Sequence, residues 1–471
     1  MPIDILGTAI YEGPEAIPGW EYIKTYTPAI MALAGIKYYF GGTSNTWERD
    51  YHGKVYIMTG ATSGLGANLA YELASKGAQL ILLVRSTEDS WLVDYIEDLR
   101  ERTDNFMIYA EECDLNSLYS IRKFATKWLD NQPPRRLDGV ICCAAESIPI
   151  GKARQVTVDG VEKQMGINYL AHFHLLTLLS PALKIQLPDR DVRIVMATCV
   201  SQALGDLDMK DALWLNRRYP TREPWKLYGT SKLMLTMFAK EFQRRLNSFE
   251  RKDKAPCNVR VNMVNPGIMR TPSTRRFLSM GAIWGLLVYF VLFPIFWIFF
   301  KSTTQGAQSF LYALAAPVFK NLDGGNVIQE CKILKPARKE LSDEDLQKAL
   351  YDETEKLLEA LEKSSAIERK RQEKIQESKM PLADKLRAQN EESRKKADIH
   401  TKPESPEELQ AKLASLKRLI GIPSDANDEL PLFPSQPNSS QSESRAENLS
   451  TTKSTPKSKS KAKKSKSKKI D

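Results

Sequence analysis

Six cysteines in 471 residues are too few and too scattered for a disulfide scaffold or a zinc ribbon, and only Cys142 and Cys143 stand together. A reducing compartment is expected, and no metal site. The first 50 residues lack the basic start and long apolar core of a cleaved secretory signal. No internal repeat is present, so a stacked-repeat architecture is not indicated. Acidic residues are nearly as numerous as basic ones: Lys and Arg total 68 against 58 Asp and Glu, a net charge of +10. Nine lysines and one aspartate in residues 450–471 carry +8 of that. The tail has no aromatic residue to stack on bases, so nucleic acid is not expected as a partner. A wholly disordered chain is excluded by a hydrophobic fraction of 42%.

From residue 53 to about 340, short β-branched runs alternate with longer helical patterns. The strand candidates are 55–59, 79–84, 107–110, 139–142, 192–197, 259–264 and 325–329. Seven strands with helices between them predict an α/β fold with a doubly wound parallel sheet. Residues 1–52 form an extension whose apolar stretch, 29–40, reads as a docked or interfacial helix. Beyond the domain, Leu346, Leu350, Leu357 and Leu361 mark a docked helix within 341–363. Residues 364–421 are charged and amphipathic, and 405–420 has an N-cap serine, a first-turn proline and an apolar stripe that needs a protein partner. Residues 422–471 read as a disordered Lys-rich tail.

After the first strand stands Thr59-Gly60-Ala61-Thr62-Ser63-Gly64-Leu65-Gly66, followed by a helix. Glycines at such a strand-turn-helix junction allow a tight turn, close approach of backbone to a pyrophosphate, and tight helix packing. A plain tight turn is the bland alternative. The second strand ends in Val84-Arg85-Ser86 with no carboxylate to bind ribose hydroxyls, and a guanidinium there suits a 2′-phosphate. NADP(H) is therefore expected over NAD(H). Tyr228 and Lys232 lie four residues apart at the start of a predicted helix, on one face. Bringing a tyrosine near neutrality needs a shift of ~3 pH units, about 4 kcal/mol, which a neighbouring cation helps supply. Tyr228 is then expected to give its proton to a carbonyl oxygen.

With Asn168 in Asn168-Tyr169-Leu170-Ala171-His172-Phe173 and Asn265-Pro266-Gly267-Ile268-Met269-Arg270-Thr271 after the sixth strand, these motifs resemble the short-chain dehydrogenases/reductases over residues 53–335. The resemblance is to the branch of retinol dehydrogenases and protochlorophyllide reductase. It implies that Asn168 holds the water of a proton relay and that Lys232 bonds the nicotinamide ribose. It also implies that Asp114 and Leu115 form the adenine pocket, with Pro266, Gly267 and Thr271 at the nicotinamide end. Two departures stand out. Where the family has N-N-A-G, the chain has Cys142-Cys143-Ala144-Ala145, which leaves Ala144 beside the cofactor. Where the family has a carbonyl-positioning serine, the chain offers Cys199, a weaker donor, or Thr198 one place along. Cys199 as a nucleophile with His172 or His174 is disfavoured, because nothing pairs them in the sequence.

Residues 277–300 are 24 positions without a charge. A straight helix of that length spans about 36 Å, enough for one crossing of a ~30 Å hydrocarbon core. A crossing would separate the sixth and seventh strands, so the segment is expected to enter and return, broken at Pro294. Arg270, Arg275 and Arg276 before it and Lys301 after it place both ends on the cytosolic side. A buried core helix or a subunit interface is the alternative. The Lys-rich tail is expected to meet anionic lipid, and Lys468-Lys469 resembles an endoplasmic-reticulum retrieval signal. The chain thus reads as a membrane-bound, NADP(H)-dependent oxidoreductase for a lipophilic carbonyl or alcohol, at the endoplasmic reticulum or a lipid droplet. The alternative is a cofactor-binding pseudoenzyme that scaffolds a membrane complex.

Overall fold

A computed structural model of the chain describes residues 10–11, 13–17, 19–251, 254–336 and 338–379. The helix expected at 405–420 and the Lys-rich tail lie outside these residues.

Strand β1 (Val55–Thr59) is buried at all five positions. Side chains alternate across a strand, so Val55 and Ile57 enter one hydrophobic cluster while Tyr56 and Met58 enter another. Burial on both faces requires a place inside a sheet that helices cover on both sides. The other strands are β2 (Gln79–Val84), β3 (Ile108–Glu112), β4 (Gly139–Cys142), β5 (Val192–Ala197), β6 (Val259–Val264), β7 (Asn326–Gln329) and β8 (Lys332–Leu334). Their order is β3-β2-β1-β4-β5-β6-β7-β8, so the winding reverses between β1 and β4. All neighbours are parallel except β7 and β8.

The sheet therefore has eight strands where seven were expected. The extra strand is joined by a turn in which Glu330 and Cys331 both have positive φ, 51° and 53°. Such hairpin turns are usually signalled by Asn-Gly or Asp-Gly, and Glu-Cys carries no such signal.

The helices are α1 (Trp20–Gly41), α2 (Gly64–Ser75), α3 (Ser90–Thr103), α4 (Leu118–Leu129), α5 (Ala171–Lys184), α6 (Pro224–Asn247), α7 (Pro272–Leu278), α8 (Ile283–Phe299), α9 (Thr303–Ala315) and α10 (Glu344–Lys379). Leu69 of α2, Leu92 of α3 and Phe310 of α9 cover one face of the sheet; Ile121 of α4, Phe173 of α5 and Phe238 of α6 cover the other. α10 lies over α6 through Leu350, Tyr351 and Leu358 and runs on through the charged residues up to Lys379. Arg122 holds it from α4 by two bonds of 2.6 Å to Glu362.

α7 and α8 meet at 113°. The bend falls at Met280 and Gly281, with φ of 53° and 61°, and not at Pro294, which sits inside α8. Pro294 removes one helical hydrogen bond, whereas two successive left-handed residues reverse the chain. The excursion leaves and returns at one place, because the Arg270 amide donates to the Lys301 carbonyl and the Lys301 amide to that of Ile268, both at 3.0 Å. No single helix among the described residues is long and apolar enough to cross a membrane; α7 and α8 meet those criteria only together, as a bent pair. α8 is not a core helix either. Ile283 and Trp284 are each 80% exposed, and only Gly285 and Tyr289 of its residues are buried. α1 runs beside it. Lys37 Nζ donates to the carbonyls of Trp297 (2.6 Å) and Phe300 (3.3 Å), and the Phe40 and Phe299 rings are 5.0 Å apart.

Candidate active site

Open α/β sheets bind ligands beyond the carboxyl ends of their strands where the winding reverses. A cavity of about 690 Å³ lies there, at the ends of β1 and β4. The glycine loop shapes its floor. Gly60 has φ +67°, and a Cβ on it would stand 2.7 Å from the Ala144 amide nitrogen. A Cβ on Gly66 would stand 2.1 Å from the Gly60 carbonyl oxygen, so α2 packs against the loop only without a side chain there. Gly64 has φ +57° and starts α2, with Thr271 of the segment after β6 packed against it.

Gly60, Thr62, Ser63, Gly64, Leu65 and Gly66 line this cavity, with Arg85, Asp114, Leu115 and Ala144. Thr198, Cys199, Tyr228, Lys232, Pro266, Gly267 and Thr271 line its other end. Asn168 is the expected site residue that does not. It sits in a π-helical turn, Gly166–Leu170. Its amide nitrogen donates to the Glu146 carbonyl (3.0 Å) and to Ser231 Oγ (3.1 Å), and its Oδ1 accepts from the Glu146 amide (2.7 Å). Asn168 thus holds the loop of Glu146 against α6. Trp225, Glu146 and Ser201 line the cleft without having been singled out in the sequence. Trp225 was legible, being three residues before Tyr228 and on its helix face. Glu146 and Ser201 follow strand ends and carry no motif.

At the inner end, Lys232 Nζ donates to the Ala197 carbonyl at 2.9 Å and stands 5.8 Å from the centre of the Tyr228 ring. Burial pulls this ammonium down to about 8, against the opposing pull of Cys199, Cys143 and Cys142. Burial, reinforced by Cys199, holds the Tyr228 phenol well above the ordinary tyrosine range. The expected depression of Tyr228 by Lys232 is therefore absent: desolvation dominates, and the ammonium is committed to a backbone carbonyl. A phenol that keeps its proton at neutral pH is a donor, which suits delivery of that proton to a carbonyl oxygen. Thr198 directs its hydroxyl to Gln202 (3.0 Å) and Thr236 (3.1 Å), while Cys199 also lines the cleft. His172 is buried, and desolvation lowers it to about 4, with Lys232 adding to the effect, so it is neutral at pH 7. Among the described residues neither His172 nor His174 bonds Cys199; His174 pairs with Glu362 at 3.2 Å.

Residues 54–203 match the family model for short chain dehydrogenase. The chain is 47% identical over 391 residues to "Uncharacterized oxidoreductase YNL181W" of Saccharomyces cerevisiae, covering 78% of this chain and 95% of that one. It is 41% identical over 364 residues to "Uncharacterized oxidoreductase pbr1" of Schizosaccharomyces pombe, with coverages of 77% and 97%. Human "Retinol dehydrogenase 13" is 32% identical over 340 residues, with coverages of 70% and 93%. The chain belongs to the short-chain dehydrogenase family.

As a short-chain dehydrogenase it is an oxidoreductase of a family that uses NAD(P)(H), and its glycine cradle fits a dinucleotide, since any side chain at Gly60 or Gly66 would fill the place. The departure at Cys142-Cys143-Ala144-Ala145 has a local replacement. Thr59 Oγ1 accepts from the Ala144 amide at 3.2 Å and meets His172 Nε2 at 3.1 Å, while His172 Nδ1 meets the Asn168 carbonyl at 3.3 Å. Thr59 and His172 therefore brace this loop. Burial pushes the Cys143 thiol up to about 12 and Cys142 higher still, so both keep their protons; Cys142 is buried and Cys143 lines the cleft.

Proposed function

We propose that this short-chain dehydrogenase reduces or oxidises a lipophilic carbonyl or alcohol with NADP(H), at the cytosolic face of the endoplasmic reticulum or of a lipid droplet. The observation that carries the proposal is Phe277. It begins the charge-free run and lines the same cavity as Tyr228 and Lys232. A substrate dissolved in lipid would reach the reacting end along an apolar path. The name of human retinol dehydrogenase 13, which acts on a lipophilic alcohol by that name, supports this substrate class.

The cofactor, when bound, supplies or accepts the hydride. Gly60, Gly64 and Gly66 admit its pyrophosphate beside the start of α2, and Arg85 at the tip of β2 suits the 2′-phosphate. Lys232 would donate to the ribose in place of its bond to Ala197. Tyr228 holds the proton exchanged with the substrate oxygen, and Cys199 flanks that oxygen as a weak donor.

A second reading, a cofactor-binding scaffold, is favoured by the Cys199 thiol and by the Asn168 amide, which is fully engaged within the protein. Purified full-length protein in detergent, given NADPH and a panel of long-chain and polycyclic ketones and aldehydes, separates the two. Turnover that Tyr228→Phe abolishes supports the enzyme. Tight NADPH binding with no turnover on any carbonyl supports the scaffold.

A further inference from the structure

Separate from the cofactor cleft, a cavity of about 350 Å³ lies between α7, α8 and the start of α9. Its polar wall is Arg270, Arg275, Ser302 and Thr303; its apolar wall is Tyr289 and Phe293 of α8. Neither guanidinium meets a carboxylate among the described residues, although the next arginine, Arg276, bonds Glu146 at 2.5 Å. Arg270 Nε is buried without a hydrogen-bond partner. Lys37 adds a third cation nearby; its pKa is lowered first by burial and then by the Arg270 charge. Thr303 opens a 13-residue helix, whose N-terminal end further favours an anion. Cations gathered without counter-charge cost free energy unless something anionic joins them.

The two walls together identify the occupant. A soluble phosphate would use the arginines and leave Tyr289 and Phe293 idle. Beside this wall α8 exposes Phe290 (64%) and, one turn on from Phe293, Trp297 (48%). The geometry points to a binding site for one anionic glycerophospholipid, its phosphate on Arg270 and Arg275 and its acyl chains along α8. This assignment rests on the membrane reading and deepens it: the headgroup fixes how the chain sits on the surface, with the cofactor cleft next door through Thr271 and Pro272, which line both cavities.

The test uses full-length protein in detergent at about 1 M salt, where attraction to the lysines of residues 450–471 is screened beyond roughly 3 Å. Offered phosphatidic acid and phosphatidylcholine together, the wild type should retain one phosphatidic acid per chain in native mass spectrometry. Arg270→Gln/Arg275→Gln should bind it about tenfold or more weakly. The single Arg275→Gln variant, at an exposed position, should show part of the loss and guards against misfolding of the double variant. Equal retention by wild type and variants overturns the site. If inorganic phosphate displaces soluble dihexanoyl phosphatidic acid at equal concentration, the ligand is a free phosphate and the lipid assignment fails. Flotation on pure phosphatidylcholine vesicles scores the membrane reading separately: a wild type that does not float sinks that reading, while the dihexanoyl arm still decides the site.

Discussion

β1 and α8 carry sequences of similar apolar character and end in opposite environments. Ile57 and Met58 in β1 are wholly buried, whereas Ile283 and Trp284 in α8 are 80% exposed. Composition does not separate them; pattern and length do. Alternate residues of β1 serve two different cores, one on each face of the sheet. α8 is apolar all round, so no single face of it can satisfy the rest, and α1 covers only one side. A strand of five residues is enclosed by neighbours at every step, while a 17-residue helix projecting from a bend buries only Gly285 and Tyr289. The sheet end gathers the candidate site and α8 presents an exposed apolar surface, so changes confined to one should leave the other's readout in place.

The sharpest separation is at Tyr228. Tyr228→Phe should lower turnover by ~10²–10⁴-fold, the usual worth of a positioned proton donor, and leave NADPH binding and vesicle flotation unchanged. A variant within a few-fold of wild type would put the proton elsewhere and detach the chemistry from this end of the cleft. Next comes a matched pair of truncation and charge. Met58→Ala, in the core, should cost about 2–5 kcal/mol in chemical denaturation. Trp284→Glu with Val291→Glu should change stability by no more than ~0.5 kcal/mol each, yet prevent flotation on phosphatidylcholine vesicles. A loss of several kcal/mol from the charged pair would mean that α8 is packed against something in solution.

The comparison also shows which parts of the molecule were legible beforehand. All seven expected strands lie within two residues of their place, because each is a short apolar run between glycines, charges or helical patterns. β8 was hidden: three residues, all exposed, after a Glu-Cys turn. The residues expected to hold a cofactor line one cavity, and the glycines among them were legible because a tight strand-turn-helix junction demands glycine at particular positions. Electrostatics were not. Four-residue spacing places Tyr228 and Lys232 on one face but says nothing of desolvation or of the Ala197 carbonyl that takes the ammonium. Pro294 misled for a similar reason, since a proline inside a helix is tolerated while two left-handed residues turn the chain.

The buried inner end of the cleft makes a pH-dependent prediction. Lys232 is lowered to about 8, so it is charged at pH 7 and loses its proton as pH rises through about 8. Its donation to the ribose weakens with it, and NADPH affinity measured by fluorescence titration should fall by up to roughly tenfold between pH 7 and 9. Stability moves the other way. The unfolded chain binds this proton up to the ordinary value of 10.5 and the folded chain releases it at about 8, so Lys232 makes the fold more stable as pH rises across that window. Lys232→Met should remove both dependences; an affinity that still falls through pH 8 in that variant would assign the titration to another group.

The outer end of the cleft should respond least. Arg85 is 78% exposed, and its Nε lies 3.7 Å from an Asp114 carboxylate oxygen. A 2′-phosphate must compete with that carboxylate and with water, so the guanidinium contributes toward the low end for charge-assisted contacts, about 0.5–1.5 kcal/mol. Arg85→Ala should therefore reduce the preference for NADPH over NADH by roughly two- to tenfold. The NADH constant itself should hardly move, and added salt should mimic the mutation in the wild type while leaving the variant unaffected. An unchanged NADPH to NADH ratio would remove Arg85 from cofactor choice. The buried lysine and the exposed arginine thus predict different signatures, one in pH and one in salt, for two ends of the same bound molecule.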